Sequence, residues 1–489
     1  MPITALPVRW KSIRAAALAF TMVATVCLGV QLFQSCGLPA RPIAFEIVDS
    51  SRLPQLCAVN GMLETTLVAA PLRIHIGGVE FAGAAYNGVY GGPVLRLRPG
   101  DRLRLHLVNR MPTAINLHFH GLRVSPAGTG DNMHVEVQPG TSYTYDFRIP
   151  PHHPPGLFWY HDHAFGDAET HVTAGLSGAL LIDGFAAQFG GLAQVPQALL
   201  VLKDWADPAC GGAMLQTALH CRIVSINGEA AWAGHMQPGG RALWRISNQG
   251  ANLILHLKAP GLELIPIGQD GLPSTGAGIT NSIDILPASR TDVLVRATRA
   301  GQFDIIASGV PTGTGAGFTI LRVLGGVTVS GPPAPLPAPL TMPHLTDLRH
   351  VPVQAQRTIV FAQNQNATVY TVDGKTFDPA RTDLRAAIGG VEEWTIRNTT
   401  TDFHEFHIHQ LGFQLAEINH TPQSFTGFID DVRVPENGEV KLLIPFTNPE
   451  IAGHIMFHCH VLKHEDLGMM ATLELYQPGI FHICRFPGP

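Results

Sequence analysis

The stretch RPGDRLRLHLVNRMPTAINLHFHGL, Arg98–Leu122, decides the fold, because its plan occurs three times in the chain. A glycine turn opens it, an alternating strand runs to Asn109, and a second strand ends in His118-Phe119-His120. Period-two alternation of apolar and polar residues marks a half-buried strand. QPGGRALWRISNQGANLILHLKAPG, Gln237–Gly261, and IGGVEEWTIRNTTTDFHEFHIHQLG, Ile388–Gly412, repeat the plan, with Asn248 and Asn398 at the matching place. Each copy is followed by a second motif: GLFWYHDH at Gly156–His163, GQFDIIAS at Gly301–Ser308 and GHIMFHCH at Gly453–His460.

The copies are not equivalent. The outer two carry histidine five and seven residues after the motif glycine, at His161 and His163 and at His458 and His460; the middle copy has Ile306 and Ser308 there. The middle copy of the first motif likewise reads Leu255-His256-Leu257. The reading is all-β: three consecutive β-sandwich domains over 41–188, 195–330 and 351–489, the first and third carrying ligands. The proline-rich GPPAPLPAPLTMPHL, Gly331–Leu345, falls in a stiff linker at 331–350. Composition agrees: 51 Gly, 38 Pro and only 14% charged residues suit short strands and turns over long amphipathic helices. A net charge of −5 supplies no basic footprint, which argues against a nucleic-acid partner.

Residues 1–40 read as a signal peptide or an N-terminal membrane anchor. Arg9, Lys11 and Arg14 precede the apolar run Ala15–Phe33, which is long for a signal core and just long enough to span a bilayer. The protein is therefore expected to be exported, periplasmic or secreted, with anchoring as the alternative. Seven cysteines fit that compartment. Cys210 and Cys221 can close a short loop, and Cys57 and Cys484 can tie the ends of the mature chain.

The chemistry rests on four His-x-His pairs: His118/His120, His161/His163, His407/His409 and His458/His460. In a strand, residues i and i+2 share a face, so each pair presents two imidazoles together. Eight imidazoles exceed what one metal can hold and suit a multinuclear site between domains one and three. Cys459 lies between His458 and His460 and must face the other way. With His404, His464 and Met469 it makes two imidazoles, a thiolate and a thioether, the donor set of a blue-copper site. One strand thus joins two metal sites.

HFHG, WYHDH, HEFHIH and HCHVLKHEDLGM resemble the motifs of the three-domain multicopper oxidases of laccase type, and the resemblance runs from about Ile43 to Gln477. It implies a cupredoxin-like Greek-key fold in each domain and four copper ions. His118 and His407 match the type 2 ligands. His120, His161, His163, His409, His458 and His460 match the type 3 ligands, and His404, Cys459, His464 and Met469 the type 1 set. The family often has Pro after the first histidine of its third motif; here it is Glu405, which should alter local shape or charge rather than ligation. The resemblance implies four one-electron oxidations of a reducing substrate near His464, coupled through Cys459 to reduction of dioxygen to water. Asp131 and Glu465 match acidic positions near the cluster and are assigned proton relay or support of the ligands. The substrate expectation is a phenol or aromatic amine, with cuprous or manganese ion as the alternative. A copper nitrite reductase and a copper-free cupredoxin scaffold rank below both.

Overall fold

The computed structural model describes residues 53–206, 222–275, 278–311 and 322–479. The strands described form six sheets, two for each copy of the repeat. Sheets of five and four strands lie within Gln55–Ile182, of six and five within Gln197–Val329, and of six and five within Val353–Tyr476. In each unit the strand after the glycine turn pairs in parallel with the unit's first long strand: Arg102–Asn109 with Met62–Ile76, Arg241–Asn248 with Gln197–Ala206, and Gly390–Asn398 with Val353–Gln363. A parallel pair cannot be closed by a hairpin. The chain between the two strands crosses to the facing sheet instead, which makes each unit a sandwich rather than a meander.

Alternation builds the cores. In Arg102–Asn109 the residues Leu103, Leu105 and Leu107 are wholly buried, while their neighbours are half-buried. Trp244 and Trp394 fill the equivalent cores of the second and third units. Each such side chain contributes roughly 1.5–3 kcal/mol on burial. The repeated asparagines have one role. Asn109 donates from Nδ2 to the Thr113 and Val137 carbonyls, Asn248 to Leu253 and Ile285, and Asn398 to Asp402 and Pro435. Each therefore pins the turn leading into the second strand to a neighbouring segment.

The strands that carry the motifs pair with each other: His118–His120 with Gly156–His161, Leu253–Lys258 with Gly301–Pro311, and His404–Ile408 with Gly453–Cys459, all antiparallel. The register sets His118 opposite His161 and His407 opposite His458. In the middle unit the corresponding pairs include Leu257 opposite Ala307 and His256 opposite Ser308.

The segment expected to be a signal or anchor lies outside the described residues, as do Cys210, Cys221 and Cys484. Cys57 is disulfide-bonded. Among the described residues no helix is long and apolar enough to cross a membrane. The proline-rich run has no extended strand; Thr341 bridges to Gly190, Leu340 and Met342 pack against the Phe185 and Ala186 cluster, and Leu336 is 99% exposed.

Candidate metal centre

Strand alternation splits the ligands of the third unit between two faces. Cys459 points into the core of its own sandwich, among Phe406, Phe457 and Met469. There its Sγ lies 3.7 Å from His404 Nδ1 and 3.6 Å from His464 Nδ1, and the two nitrogens are 3.1 Å apart. Met469 is wholly buried in the same core. Its carbonyl accepts the Cys459 N–H and its own N–H donates to the His464 carbonyl. Burial pushes the Cys459 thiol up and both imidazoles down, His404 to about 3. Two neutral imidazoles and a thiol that ionises only beside a cation fit a soft metal ion. The free nitrogen of His404 is fixed by Thr400, with Nε2 to Oγ1 at 2.9 Å. The Glu405 N–H donates to Sγ at 3.4 Å, and the Glu405 carbonyl accepts the His460 N–H at 2.7 Å.

The eight paired histidines meet between the first and third units, all wholly buried. His118 stacks on His409 with centroids 3.7 Å apart, and His120 on His407 at 4.0 Å, so rings from the two units interleave. Three triads place their donor atoms within 4.8 Å of one another: His118, His120 and His407; His120, His161 and His460; His163, His409 and His458. In the last, His458 Nε2 is 3.4 Å from His163 Nε2 and 3.1 Å from His409 Nε2. The Nε2 atoms of His118, His161, His407 and His460 are buried without a hydrogen-bond partner. Burial, reinforced by neighbouring imidazoles, holds His118, His120, His407, His409 and His460 well below the usual histidine range. Buried lone pairs aimed at one another are costly unless a cation takes them up. The donor set therefore fits copper on its own chemistry.

The outer nitrogens are held by acceptors, which turns the inner ones toward the metal. His407 Nδ1 meets the Asp430 carbonyl at 2.7 Å, and His161 Nδ1 the Asp162 carbonyl at 2.9 Å. Glu465 lies 3.0 Å from His458 Nδ1 and 3.4 Å from His163 Nδ1, so one carboxylate spans both units. Burial alone would raise Glu465, but the imidazoles beside it hold it at about 2. Asp131 lies 2.9 Å from His118 Nδ1 and accepts from the Phe119 N–H and Gln410 Nε2. It is wholly buried, which pushes it up to about 7; it is no solvated loop acid.

Several functional neighbours carry no sequence signal. Tyr370 lies flat on His464, with ring centroids 4.3 Å apart and planes at 16°. His464 is only 2% exposed, and the Tyr370 ring covers one face of it. Arg290, from the middle unit, grips Asp430, whose Oδ1 is 3.3 Å from His120 Nε2. The same unit steadies the loop bearing His464: the Leu462 N–H donates to the Ala251 carbonyl and the Lys463 N–H to Asn252 Oδ1. Asp162, whose carbonyl meets His161 Nδ1, and Gln410, which donates to Asp131, sit beside the ligands in WYHDH and HIHQ.

Three multicopper oxidase family profiles match the chain, over residues 73–186, 159–325 and 346–477. The chain is 24% identical over 438 residues to the multicopper oxidase mco of Staphylococcus haemolyticus, covering 85% of this chain and 89% of that one. It is 23% identical to the laccase of Bacillus subtilis, covering 80% and 90%. Among solved structures it resembles the multicopper oxidase of Campylobacter jejuni, described as a metallo-oxidase, with a TM-score of 0.75 and 25% identity over 87% of this chain and 94% of that one. The chain belongs to the multicopper oxidase family. It is a copper-dependent oxidoreductase with dioxygen as acceptor, built of three consecutive cupredoxin-like sandwiches and using type 1, type 2 and type 3 copper.

Proposed function

We propose that His404, Cys459, His464 and Met469 hold the type 1 copper, His118 and His407 the type 2 copper, and His120, His161, His163, His409, His458 and His460 the type 3 pair. We propose further that the reducing substrate is a small phenol or aromatic amine. The carrying observation is the Tyr370 ring stacked on His464. It offers an aromatic path into the ligand, and Leu467 and the 39% exposed Val369 lie beside it as apolar neighbours, with the Asp402 carboxylate also close. An apolar shelf suits a neutral aromatic reductant better than a hydrated divalent ion.

When bound, copper supplies the one-electron steps and the reduction of dioxygen. The protein's part is to orient it and to move protons. Cys459 and Glu405 lead from the first site to the second, through the peptide on either side of the thiol and through the Glu405 backbone hydrogen bonds. Asp131 and Glu465 are buried against ligand imidazoles and fix ring orientation; Asp131 can also hold a proton, whereas Glu465, kept ionised by its imidazoles, serves to accept one and pass it on.

Steady-state oxygen uptake with a substituted phenol, cuprous ion and manganous ion tests the substrate. A rate on the phenol that falls when Tyr370→Ala removes the ring supports the reading. Rates confined to metal ions would favour the second reading, a metal oxidase, which the description of the Campylobacter protein brings to mind for this chain. Cys459→Ser tests the ligand assignment: blue absorption and turnover should vanish while the histidine-bound copper stays. A blue, active variant would refute it.

Export is part of the same proposal. It is supported by the basic residues ahead of the apolar run and by the disulfide at Cys57, which suits an oxidising compartment. An uncleaved anchor is the alternative, and fractionation of cells with N-terminal sequencing of the product decides between them. The domain limits 41–188, 195–330 and 351–489 draw support from the three pairs of sheets.

A further inference from the structure

Three methionines from two units, Met133, Met456 and Met470, pack together with Phe165 and Phe377 at their edge and no Leu, Ile or Val among them. Methionine is common as a filler of irregular core gaps. Here three of the chain's 11 form a cluster of their own. Alternation explains where it lies. Met456 and His458 share a face of Gly453–Cys459, and Met470 stands directly opposite His458 across the ladder. The same face continues outward to His454, which is exposed. His134, next to Met133 and also exposed, faces it with ring centroids 6.5 Å apart. The row runs from two surface imidazoles, past three buried thioethers, to a buried imidazole of the multinuclear group.

We propose that this row is a cuprous-ion site through which the buried histidine group is loaded with copper. The eight imidazoles are wholly buried, so an ion must pass between packed side chains to reach them. An unpaired ion in apolar surroundings is strongly disfavoured, and more so the higher its charge. Thioethers are soft donors that select cuprous ion over hard cations. A monovalent ion handed from thioether to thioether never loses all its donors. Leucine would fill the same volume without that property. Met456 is also anchored: its sulfur accepts the Thr472 hydroxyl at 3.5 Å and its carbonyl accepts the His409 N–H at 3.0 Å.

The inference stands apart from the phenol reading, since it concerns how copper arrives rather than what is oxidised. The first test titrates the copper-loaded enzyme with silver ion, a redox-inert analogue of cuprous ion, and reads sulfur coordination by X-ray absorption. The wild type should bind silver on sulfur, and the triple variant Met133→Leu, Met456→Leu, Met470→Leu should not; equal binding overturns the site. The second follows anaerobic copper uptake by the metal-free full chain from a cuprous chelate. The triple variant should fill the histidine group more slowly by about tenfold, the scale of losing one metal-site partner, while the Cys459 site fills normally. Unchanged uptake overturns the loading role, as does normal uptake combined with slower oxidation of free cuprous ion, which would make the row a substrate site. If the triple variant does not fold, His134→Gln with His454→Gln changes only exposed residues. Slower capture from dilute chelate supports the proposal, and unchanged capture overturns it.

Discussion

Arg290 and Asp430 are joined by two hydrogen bonds, Nη1 to Oδ1 at 2.9 Å and Nη2 to Oδ2 at 2.6 Å, with both side chains buried. Arg290 belongs to the unit that has no His-x-His pair, and Asp430 borders His120 and His407. Arg290 also donates from Nε to the Leu157 carbonyl, so one guanidinium touches all three sandwiches beside the histidine group. The middle unit, copper-free in its own motifs, thereby sets how the outer two meet.

Arg290→Met should leave the Asp430 carboxylate buried and unpaired. Breaking one side of such a pair costs about 3–5 kcal/mol. Thermal unfolding of the copper-loaded enzyme should show a marked fall, with part of it recovered by adding Asp430→Asn. A double variant no more stable than the single one would mean that the charge pair is not what Arg290 contributes.

Glu465→Gln should slow reoxidation by dioxygen and weaken copper retention, because one carboxylate supports the outer nitrogens of His163 and His458 together. Loss of such a support typically costs 10–100-fold in metal affinity or activity, so roughly that range is expected. Anaerobic bleaching of the blue band by substrate should be little changed. Stopped-flow separation of the two half-reactions reads this; slowed bleaching with normal reoxidation would place Glu465 on the substrate side.

Met469→Leu should leave the enzyme blue and active and raise the potential of the Cys459 site. A thioether is a weak donor that favours the oxidised ion slightly, and leucine removes it with little change of volume. A redox titration giving an equal or lower potential would remove Met469 from the ligand set.

Lys203 gives a pH dependence. It is buried between the first and second units, with Nζ 2.6 Å from Ser177 Oγ and 3.2 Å from the Gln249 carbonyl, and burial lowers it to about 7. An unfolded lysine titrates near ~10.4. Between these values the unfolded chain holds the extra proton, so stability rises with pH across that window and levels off above it, by roughly 1.4 kcal/mol per unit at most. Urea midpoints measured from neutral to alkaline pH should rise in the wild type relative to Lys203→Met. Parallel curves would show that Lys203 keeps its proton in the fold.

The paired histidines and Cys459 were legible in the sequence because strand alternation is local: spacing alone assigns faces. Asp131 and Glu465 came only with the family resemblance, since one lies in a loop and the other in the short helix Leu462–Asp466, where alternation says nothing. Tyr370 and Arg290 were not. Each meets its partner across strands from distant parts of the chain, and nothing near either residue marks the encounter. The Met133, Met456 and Met470 cluster escaped for a similar reason. Counted along the chain, the 11 methionines look scattered; three of them meet only because two sandwiches close on each other. Glu405 stands out in the sequence as a departure from the family pattern, but its backbone link between Cys459 and His460 joins residues far apart in the chain and leaves no local mark.

The strand Gly453–Cys459 sends odd-numbered side chains into one sandwich and even-numbered ones toward the other. Inserting or deleting one residue just ahead of His458 would swap those directions for all the residues that follow in the strand. The thiol would enter the histidine group and the imidazoles would enter the apolar core. Both centres would fail in a single event, and neither could be repaired alone. Such a segment can drift in the identity of its apolar residues, and a substitution can remove one centre alone, but its length is frozen, because any shift in length removes both.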